Sequence, residues 1–506
     1  MELYENKENI KAKNSEKVLP LITVIQKIIE SIKYIAIKEI SENRQYLAEK
    51  TERIKWVVTV PAIWDEHQKS VMMESCINAG LIDNNTDKSL FFALEPEAAS
   101  LYCSINKEID RNYLKKGKYY IVCDLGGGTG DIVAHLVGSN NHLAEIAGSC
   151  GGKYGSNEID KYIFKEVIMK LFLCNDFNTF YKKYKEKNNI IIGDENYQKA
   201  GLFEDWCELE REIKDFKEGS TISKIESKNK YPINCSLFKE IFDDDTDIND
   251  LVKEYNDTIN ESSLALTVRN VPKKWIVEFP YEIIFNCMKN QANSISEIIN
   301  EINSKEEIKA IIFAGGYSSN EILINLIKNN LKNLYTFLKP SNPSLAIMEG
   351  AVIFGIEPST ITGRKAKYTI GAEVSDPWDD KKHSGKGKKF YDESLQDSFC
   401  EKCFSKFIEI NQNLEFGKEI SKIYYLDKKG SNFIINFYKT KKVDPIFIFE
   451  NDVSKIGECR INIVNEFKNK EDRKLKIIMK FGGTFIDVIA LHLKSGKSVK
   501  TKLIFD

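Results

Sequence analysis

A run of glycines directly behind an apolar strand constrains this chain more than any other feature. In the segment "YYIVCDLGGGTGDIV", Gly126, Gly127 and Gly128 separate two short runs of β-type residues. Glycine has no Cβ, so its N–H groups can turn inward and form a concave anion-binding loop. Thr129 adds a hydroxyl group to the same turn. We therefore predict a hairpin whose tip binds a small anion such as phosphate.

Two carboxylates flank this predicted loop. Asp124 ends the first strand and Asp131 begins the second. Carboxylates repel phosphate, and an intervening Mg²⁺ with its waters would remove that repulsion. The loop alone is a weak signal, because a tight glycine hairpin needs no ligand. The segment "KFGGTFIDVIA" further along the chain also contains Gly-Gly-Thr and is interpreted as an ordinary strand turn.

The surrounding pattern alternates between strands and helices. Apolar residues recur at helical spacing over 19–50, and "WVVTV" is a short buried strand. A helix is predicted from Asp65, as N-cap, to Gly80. A strand then turns at Pro96 into a helix rich in small residues.

The same alternation continues towards the middle of the chain. "IKAIIFAGGYSSNEILINLIK" predicts a strand, a glycine turn and a helix, and "NPSLAIMEGAVIFGI" predicts another helix. In the latter, Gly350 and Ala351 indicate that another segment passes close by. Residues 154–310 show a mostly helical pattern. Together these features predict an α/β domain over 1–358.

After Pro358 the composition changes to short β-branched and aromatic runs separated by turn residues. They predict a β-sandwich-like domain over 359–506, with strands at "YTIGAEV", "KIYYL", "NFIINFY", "IFIFE", "ECRINIV", "KLKIIMKF" and "FIDVIALHL". The segment "WDDKKHSGKGKKF" within this region is interpreted as a mobile surface loop. Cys400 and Cys403 have zinc-like spacing, but no second pair lies nearby and His383 is the only histidine within reach. The sequence therefore gives a metal site little support.

Composition excludes several classes of partner. The 506 residues include 73 Lys+Arg and 75 Asp+Glu, a net charge of −2, so neither nucleic acid nor an anionic membrane is expected as the main partner. No apolar run approaches the ~20 residues that a bilayer span requires. The 11 cysteines are dispersed and follow no secretory signal, which is typical of reduced thiols. We expect a soluble cytoplasmic protein, with a nuclear location left open.

Taken in order, the motifs resemble one known family. The segments are "VVTVPAIWDEHQKSVMMESCINAGL", "FFALEPEAASLYC", "IVCDLGGGTGDIV", "GGKYGSNEIDKYI", "IIFAGGYSSNEILINLI" and "NPSLAIMEGAVIFGI". They resemble the heat shock protein 70 family of the actin-like ATPase superfamily, and more specifically its divergent subfamily 12. The likeness runs from about residue 19 to residue 506. It implies an α/β actin-like ATPase (ribonuclease H-like) domain, a β-sandwich peptide-binding domain, and ATP or ADP with Mg²⁺ as ligand.

The resemblance also implies roles for individual residues. Asp124 and Asp131 would hold Mg²⁺ through water, and Glu95 would lie by the γ-phosphate, as the catalytic set. Glu210 and Lys214 would belong to a helix that clamps the adenosine. The other implied nucleotide-binding residues are Gly126, Gly127, Gly128, Thr129, Gly155, Ser156, Gly315, Gly316 and Tyr317.

Several departures from the family pattern affect these expectations. The family's first phosphate loop, an Asp-x-Gly-Thr turn, is not found before "VVTVP", and the catalytic lysine that should follow that loop is missing too. Gly130 replaces an aromatic residue, and Ser344 stands where an aspartate is common. The helical lid and the acidic-apolar linker are also not recognisable. We therefore expect an incomplete first lobe and a truncated form, or a protein partner that covers the exposed face.

These expectations lead to a ranking of functions. The first is an ATP-binding, chaperone-like protein that binds unfolded or extended polypeptides and hydrolyses ATP weakly or not at all, because phosphoryl transfer depends on donors placed around the phosphate. The alternative is a pseudo-ATPase scaffold whose β-domain binds protein partners. A sugar-kinase-like phosphotransferase ranks last, because no acidic base for an acceptor hydroxyl stands out.

Overall fold

The fold is seen in a computed structural model. It describes residues 7–11, 17–43, 54–83, 89–107, 109–188, 200–303, 308–332, 334–393, 396–426, 431–463, 467 and 471–503. Part of the predicted first helix, at 44–50, lies outside these ranges.

A mixed sheet of seven described strands forms the centre of the molecule. The strands are β5 (Tyr119–Leu125), β6 (Gly130–Val137), β7 (Leu143–Gly152), β11 (Ala310–Ala314), β12 (Thr336–Leu338), β13 (Ile361–Lys365) and β17 (Asn413–Glu415). Their order across the sheet is β12-β11-β5-β6-β7-β13-β17. β5 and β6 form the predicted glycine hairpin, and β11 lies parallel to β5. The ends of β5 and β11 therefore meet at one edge, which is where the glycine loops lie.

The N-terminal elements pack on one side of this sheet. They are β1 (Asn9–Lys11), β2 (Val18–Pro20), α1 (Leu21–Asn43), β3 (Trp56–Val60), α2 (Glu66–Asn78), β4 (Leu90–Leu94) and α3 (Glu95–Ile105). The predicted cap is confirmed, because Asp65 and Gln68 form a reciprocal capping box at the start of α2. β3 and β4 are parallel to each other, and β3 has no second partner strand among the described residues.

A close helix crossing joins this part to α11 (Pro343–Ile356). A Cβ on Gly350 would lie 1.7 Å from the carbonyl oxygen of Ala98, so the two backbones touch where α3 crosses α11. The predicted need for small residues at this position is confirmed. On its other side α11 exposes Met348, Val352 and Ile356.

Residues 157–303 form a second packed region. It contains a helix that continues into a π-helical turn, further helices, and a three-stranded antiparallel sheet. The elements are α4 (Asn157–Tyr162), the π-helix Ile163–Met169, α5 (Phe177–Lys187), α6 (Ala200–Glu218), α7 (Ile222–Glu226), β8 (Lys230–Asn234), α8 (Ile248–Asp257), β9 (Thr267–Val271), β10 (Lys274–Pro280) and α9 (Glu282–Asn303). α10 (Glu321–Asn330) packs beside α9. The predicted helices are present, but the helical pattern did not indicate the three strands.

The C-terminal region contains two antiparallel sheets around one hydrophobic core. One sheet has the order β15-β16-β14-β19-β20 and the other β18-β21-β22-β23 in the described ranges. The strands are β14 (Thr369–Pro377), β15 (Lys389–Asp392), β16 (Asp397–Ile408), β18 (Lys418–Tyr425), β19 (Asn432–Thr440), β20 (Ser454–Asn462), β21 (Lys474–Phe481), β22 (Asp487–His492) and β23 (Ser498–Lys502).

Two expectations for this region are wrong. "IFIFE" is not a strand but a turn, attached by a single bridge between Phe447 and Cys403. The segment 378–390 is not merely a surface loop, because it contains the helical turn α12 (Asp380–His383) and the start of β15. His383 in it is only 2% exposed, since its ring packs between Trp378 and Phe447.

The two regions on either side of residue 358 share more than a covalent connection. β13 pairs with β7 and β17, so residues beyond 358 extend the central sheet. Arg364 on β13 forms a bidentate ion pair with Glu97 on α3, with N···O distances of 2.7 and 2.6 Å, and both side chains are buried. The predicted division into 1–358 and 359–506 stays a prediction. Within the described ranges, no helix combines the length and apolarity that a membrane span requires.

Candidate functional site

Three predicted carboxylates lie at the open edge of the β5–β6 hairpin. Asp124 and Asp131 are cross-strand partners, and both are buried. Asp131 accepts hydrogen bonds from the Ile63 N–H, at 2.8 Å, and from the Thr129 hydroxyl, at 3.0 Å. Asp124 Oδ1 is buried and has no hydrogen-bond partner in the part of the chain that is described. A buried carboxylate oxygen of this kind is costly unless a cation or water satisfies it.

Burial raises the pKa values of all three carboxyl groups. Burial, and then the negative charge of Asp131, raises the pKa of Glu95 to about 8. Burial raises the pKa of Asp131 to about 6, although hydrogen bonds from Ile63 and Thr129 favour its charged form. Burial, together with Glu95 and Asp131, raises the pKa of Asp124 well above its ordinary value. A divalent cation would reverse these shifts, because it stabilises the charged carboxylates.

The glycine loop is held by the segment that follows β7. The Ser156 N–H donates to the Gly126 carbonyl at 3.1 Å, and the Asn157 N–H donates to the Gly127 carbonyl at 2.9 Å. A Cβ on Gly155 would lie 2.3 Å from the Gly127 oxygen, so only glycine fits there. The structure thus brings Gly155 and Ser156 against the predicted phosphate loop.

The second glycine turn approaches the same carboxylates from β11. Gly315 has φ of +79°, and a Cβ there would lie 2.5 Å from Asp124 Oδ1 and 2.4 Å from the Leu125 carbonyl oxygen. Gly316 and Tyr317 follow in a short 3-10 turn. The Tyr317 hydroxyl donates to Gln291 Oε1 at 2.8 Å, and burial raises the Tyr317 pKa.

Gln291 links the second glycine turn to the first loop region. Its amide nitrogen donates to the Gly155 carbonyl at 3.2 Å, while its oxygen binds Tyr317. Gln291 is not among the residues that the sequence predicts to bind nucleotide. It lies in the middle of α9 among buried apolar residues. A glutamine side chain at such a position is a signal in the sequence, because its amide group needs hydrogen-bond partners there.

The predicted pair on α6, Glu210 and Lys214, has partners along that helix. Glu210 accepts a hydrogen bond from the Trp206 indole at 3.2 Å, and exposed Lys214 pairs with Glu218 at 3.6 Å. Lys217, which was not predicted as a site residue, reaches the segment that holds the glycine loop. It is buried and donates to Asp160 Oδ2 at 2.6 Å and to the Ser156 carbonyl at 3.3 Å.

Lys217 could have been found from helical periodicity. Leu209, Ile213 and Lys217 are spaced by four residues, and all three are buried on the same stripe of α6. A lysine that continues an apolar stripe is a candidate for a buried ion pair, because Lys is almost never fully buried without a partner.

The fold and these converging glycine turns define a mixed α/β protein of the actin-like ATPase class. No family model matches the chain. The chain is 26% identical to heat shock 70 kDa protein 12A of Mus musculus, over 98% of this chain and 77% of that protein. It is 23% identical to heat shock 70 kDa protein 12B of Homo sapiens over 97% of this chain and 76% of that protein. A shorter match, 32% identical, covers 26% of this chain and 18% of the chaperone protein dnaK1 of Prochlorococcus marinus. Over nearly its whole length the chain is therefore similar to heat shock 70 proteins of subfamily 12.

Proposed function

We propose that this protein binds a magnesium nucleotide, ATP or ADP, and acts as an ATP-binding, chaperone-like protein with weak or absent hydrolysis. The observation that carries the proposal is the buried, unpartnered Asp124 Oδ1 within a cluster of carboxylates whose pKa values are raised. A hydrated Mg²⁺ would satisfy that oxygen and neutralise the cluster.

The residues at the hairpin edge fit such a ligand. Asp124 and Asp131 would hold Mg²⁺ through its waters, and the glycine loop with Thr129 would face the phosphates. On the opposite side, Gly315 and Tyr317 would border the nucleoside, since glycine at 315 lets the backbone approach Asp124 closely. The proposed metal supplies positive charge beside the phosphates, where the protein's own groups are acidic.

The rate of turnover would depend on the donors placed around the phosphates. Each preorganised donor that is missing from such a site typically costs ~10²–10³ in rate. Burial raises the pKa of Glu95 to about 8 in the metal-free protein, so bound metal would be needed to return it to the charged form that orients a water.

Calorimetric titration with ATP·Mg²⁺ and ADP·Mg²⁺ tests the proposal directly. The unmodified chain should show saturable binding. Asp124→Asn should weaken that binding by about tenfold or more, because the loss of about 1.4 kcal/mol of binding free energy lowers the affinity tenfold. Asp257→Asn, a change of the same kind at an exposed position on α8, should bind as the unmodified chain does. Absence of saturable binding by the unmodified chain would remove the proposal.

The carboxylate cluster also predicts a pH effect on stability. Folded Glu95 and Asp131 hold protons at pH values where the unfolded groups have lost them, so stability without metal should fall as the pH rises from about 4.5 towards 8. Mg²⁺ should oppose that fall, and most strongly at pH 8. Melting temperatures measured at pH 6 and pH 8, with EDTA or with Mg²⁺, check this. Glu95→Gln should flatten the slope, and a pH profile that Mg²⁺ leaves unchanged would contradict the assignment.

One observation favours the scaffold alternative, in which the C-terminal sheets bind extended polypeptide. β18 is an edge strand within the described sheet, and it exposes Ile423 and Tyr425 alternately with its other residues. An added strand could pair with this edge through its backbone. If Asp124→Asn left polypeptide binding and its response to ATP unchanged, the scaffold reading would be favoured.

A further inference from the structure

The fold brings together three soft side chains that are far apart in the sequence. The ligand atoms of His383, Cys400 and Cys403 all lie within 4.8 Å of one another. The three residues are 2%, 0% and 1% exposed. Among the described residues, no other group of three or more His, Cys, Asp or Glu meets this geometry. The site lies in the five-stranded C-terminal sheet, distant in sequence from the hairpin of Asp124.

A backbone irregularity places both thiols on one side of β16. In a regular strand, residues three apart point to opposite faces. Here Lys402, between the cysteines, has φ of +58°, and the pairing of β16 with β14 shifts register between Val374 and Asp376. A bulge of this kind turns a side chain to the other face. A left-handed conformation is unfavourable for lysine, and such strain is typical of sites that need a particular arrangement.

The segment before β15 folds over the two thiols and places His383 beside them. Asp379 caps α12, and the Gly387 N–H donates to the His383 carbonyl at 2.8 Å. A Cβ on Gly387 would lie 2.5 Å from Cys400 Sγ, so the backbone passes directly over that sulfur. His383 Nε2 then lies 3.8 Å from Cys403 Sγ.

Apolar and aromatic residues enclose the cluster. Trp378 and Phe447 flank the His383 ring at centroid distances of 5.5 and 6.0 Å, and Val374 packs against the cysteines. An apolar shell of this kind lowers the local dielectric constant and so strengthens the attraction between a bound cation and thiolates.

We propose that Cys400, Cys403 and His383 form a zinc site, with a solvent molecule as the fourth ligand. Zinc binds thiolate sulfur at ~2.3 Å and imidazole nitrogen at ~2.0–2.1 Å in tetrahedral geometry, and two thiolates and a histidine are an established three-ligand set. Sulfurs in such a site are about 3.8 Å apart, so the observed spacing requires a contraction of at most about 1 Å. Thiolate and imidazole ligands also disfavour Mg²⁺ and Ca²⁺.

Zinc binding would exchange protons for the metal. Each thiol loses its proton as its sulfur binds zinc, so two protons are released to solvent. His383 Nδ1 now accepts a hydrogen bond from the Asp379 N–H, at 3.0 Å, which places the proton of the neutral ring on Nε2. Coordination through Nε2 therefore requires that this proton moves to Nδ1 and that the Asp379 contact opens. A change of tautomer at His383 is thus a specific mark of the site.

Metal titration of the full 506-residue chain tests the proposal. The protein is stripped with a chelator under reducing conditions and titrated with Co²⁺, a spectroscopic substitute for zinc, and then with Zn²⁺. We expect one equivalent of Co²⁺ with sulfur charge-transfer absorption, displaced by Zn²⁺, and release of two protons. Cys400→Ser and Cys403→Ser should reduce the sulfur charge-transfer absorption to background.

Two further variants keep the test independent of folding. Cys459→Ser removes a buried thiol from the neighbouring core and should retain one equivalent. His383→Cys replaces one soft ligand by another and should retain metal with stronger sulfur absorption. Nitrogen NMR of the unmodified chain should show the His383 tautomer change when zinc is added. The proposal is overturned if the unmodified chain binds no stoichiometric metal, if Cys400→Ser binds as well as it does, or if Cys459→Ser loses metal equally.

Discussion

Replacement of Arg364 by Met should destabilise the protein by about 3–5 kcal/mol, the usual cost of leaving one member of a buried ion pair alone. Arg364 holds both oxygens of Glu97, and the two side chains are 8% and 2% exposed. Without the guanidinium, Glu97 would be a buried charge without its bidentate partner. Arg364 is also close enough to favour the charged form of Glu145, whose pKa burial raises to about 7. The urea midpoint and melting temperature at pH 7 measure the loss.

A double change separates the lost charge pair from lost packing. Glu97→Leu combined with Arg364→Met replaces the ion pair by apolar groups and should recover most of the stability, because apolar replacements of buried pairs are often neutral. If the free energy of unfolding of the single Arg364→Met variant were within about 1 kcal/mol of that of the unmodified chain, the ion pair would contribute little to stability.

Replacement of Gly315 by Ala should both destabilise the protein, by about 2–4 kcal/mol, and abolish measurable nucleotide binding. The added Cβ would lie 2.4 Å from the Leu125 carbonyl oxygen and 2.5 Å from Asp124 Oδ1, at a residue with φ of +79°. The backbone cannot relieve this contact without moving the turn away from β5. Melting temperature and nucleotide calorimetry, performed on the same preparation, measure the two effects.

The adjacent glycine provides a matched control. Gly316 has no unusual φ, and the nearest atom to an added Cβ there is the Ser344 Cβ, at 3.9 Å. Gly316→Ala should therefore melt within a few degrees of the unmodified chain. Equal losses of stability in the two variants would refute the argument from close approach.

Much of the α/β part could be predicted because its signals are local. Asp65 with Gln68, the proline at the start of α3, and Gly80 after α2 each fix a helix boundary by backbone chemistry alone. Gly350 predicted that another segment crosses α11 closely, since only the absence of a Cβ permits the backbone contact with α3. The glycine hairpin was equally evident, although its occupancy by nucleotide stays a prediction.

Features that depend on distant pairing were not predictable. Helical spacing indicates that Lys217 is buried, but its partners Ser156 and Asp160 are set by the packing of α6 and not by any motif. Cys400 and Cys403 gave a weak signal in sequence, since their shared face results from the conformation of Lys402 and from the return of His383 by way of Gly387. Among the described strands, β8, β9 and β10 pair with one another alone, within a region whose sequence is dominated by helical spacing.

The pairing of β13 with β7 has a practical consequence for dissecting this molecule. A chain cut after residue 358 would lose β13, which is one of the two strands that pair with β7, and would leave Glu97 without Arg364. The fragment that begins at 359 would in turn carry β13 and β17 as a pair of strands detached from any parent sheet. Neither half would report on its behaviour in the whole, so each activity proposed above has to be tested by single substitutions in the intact chain.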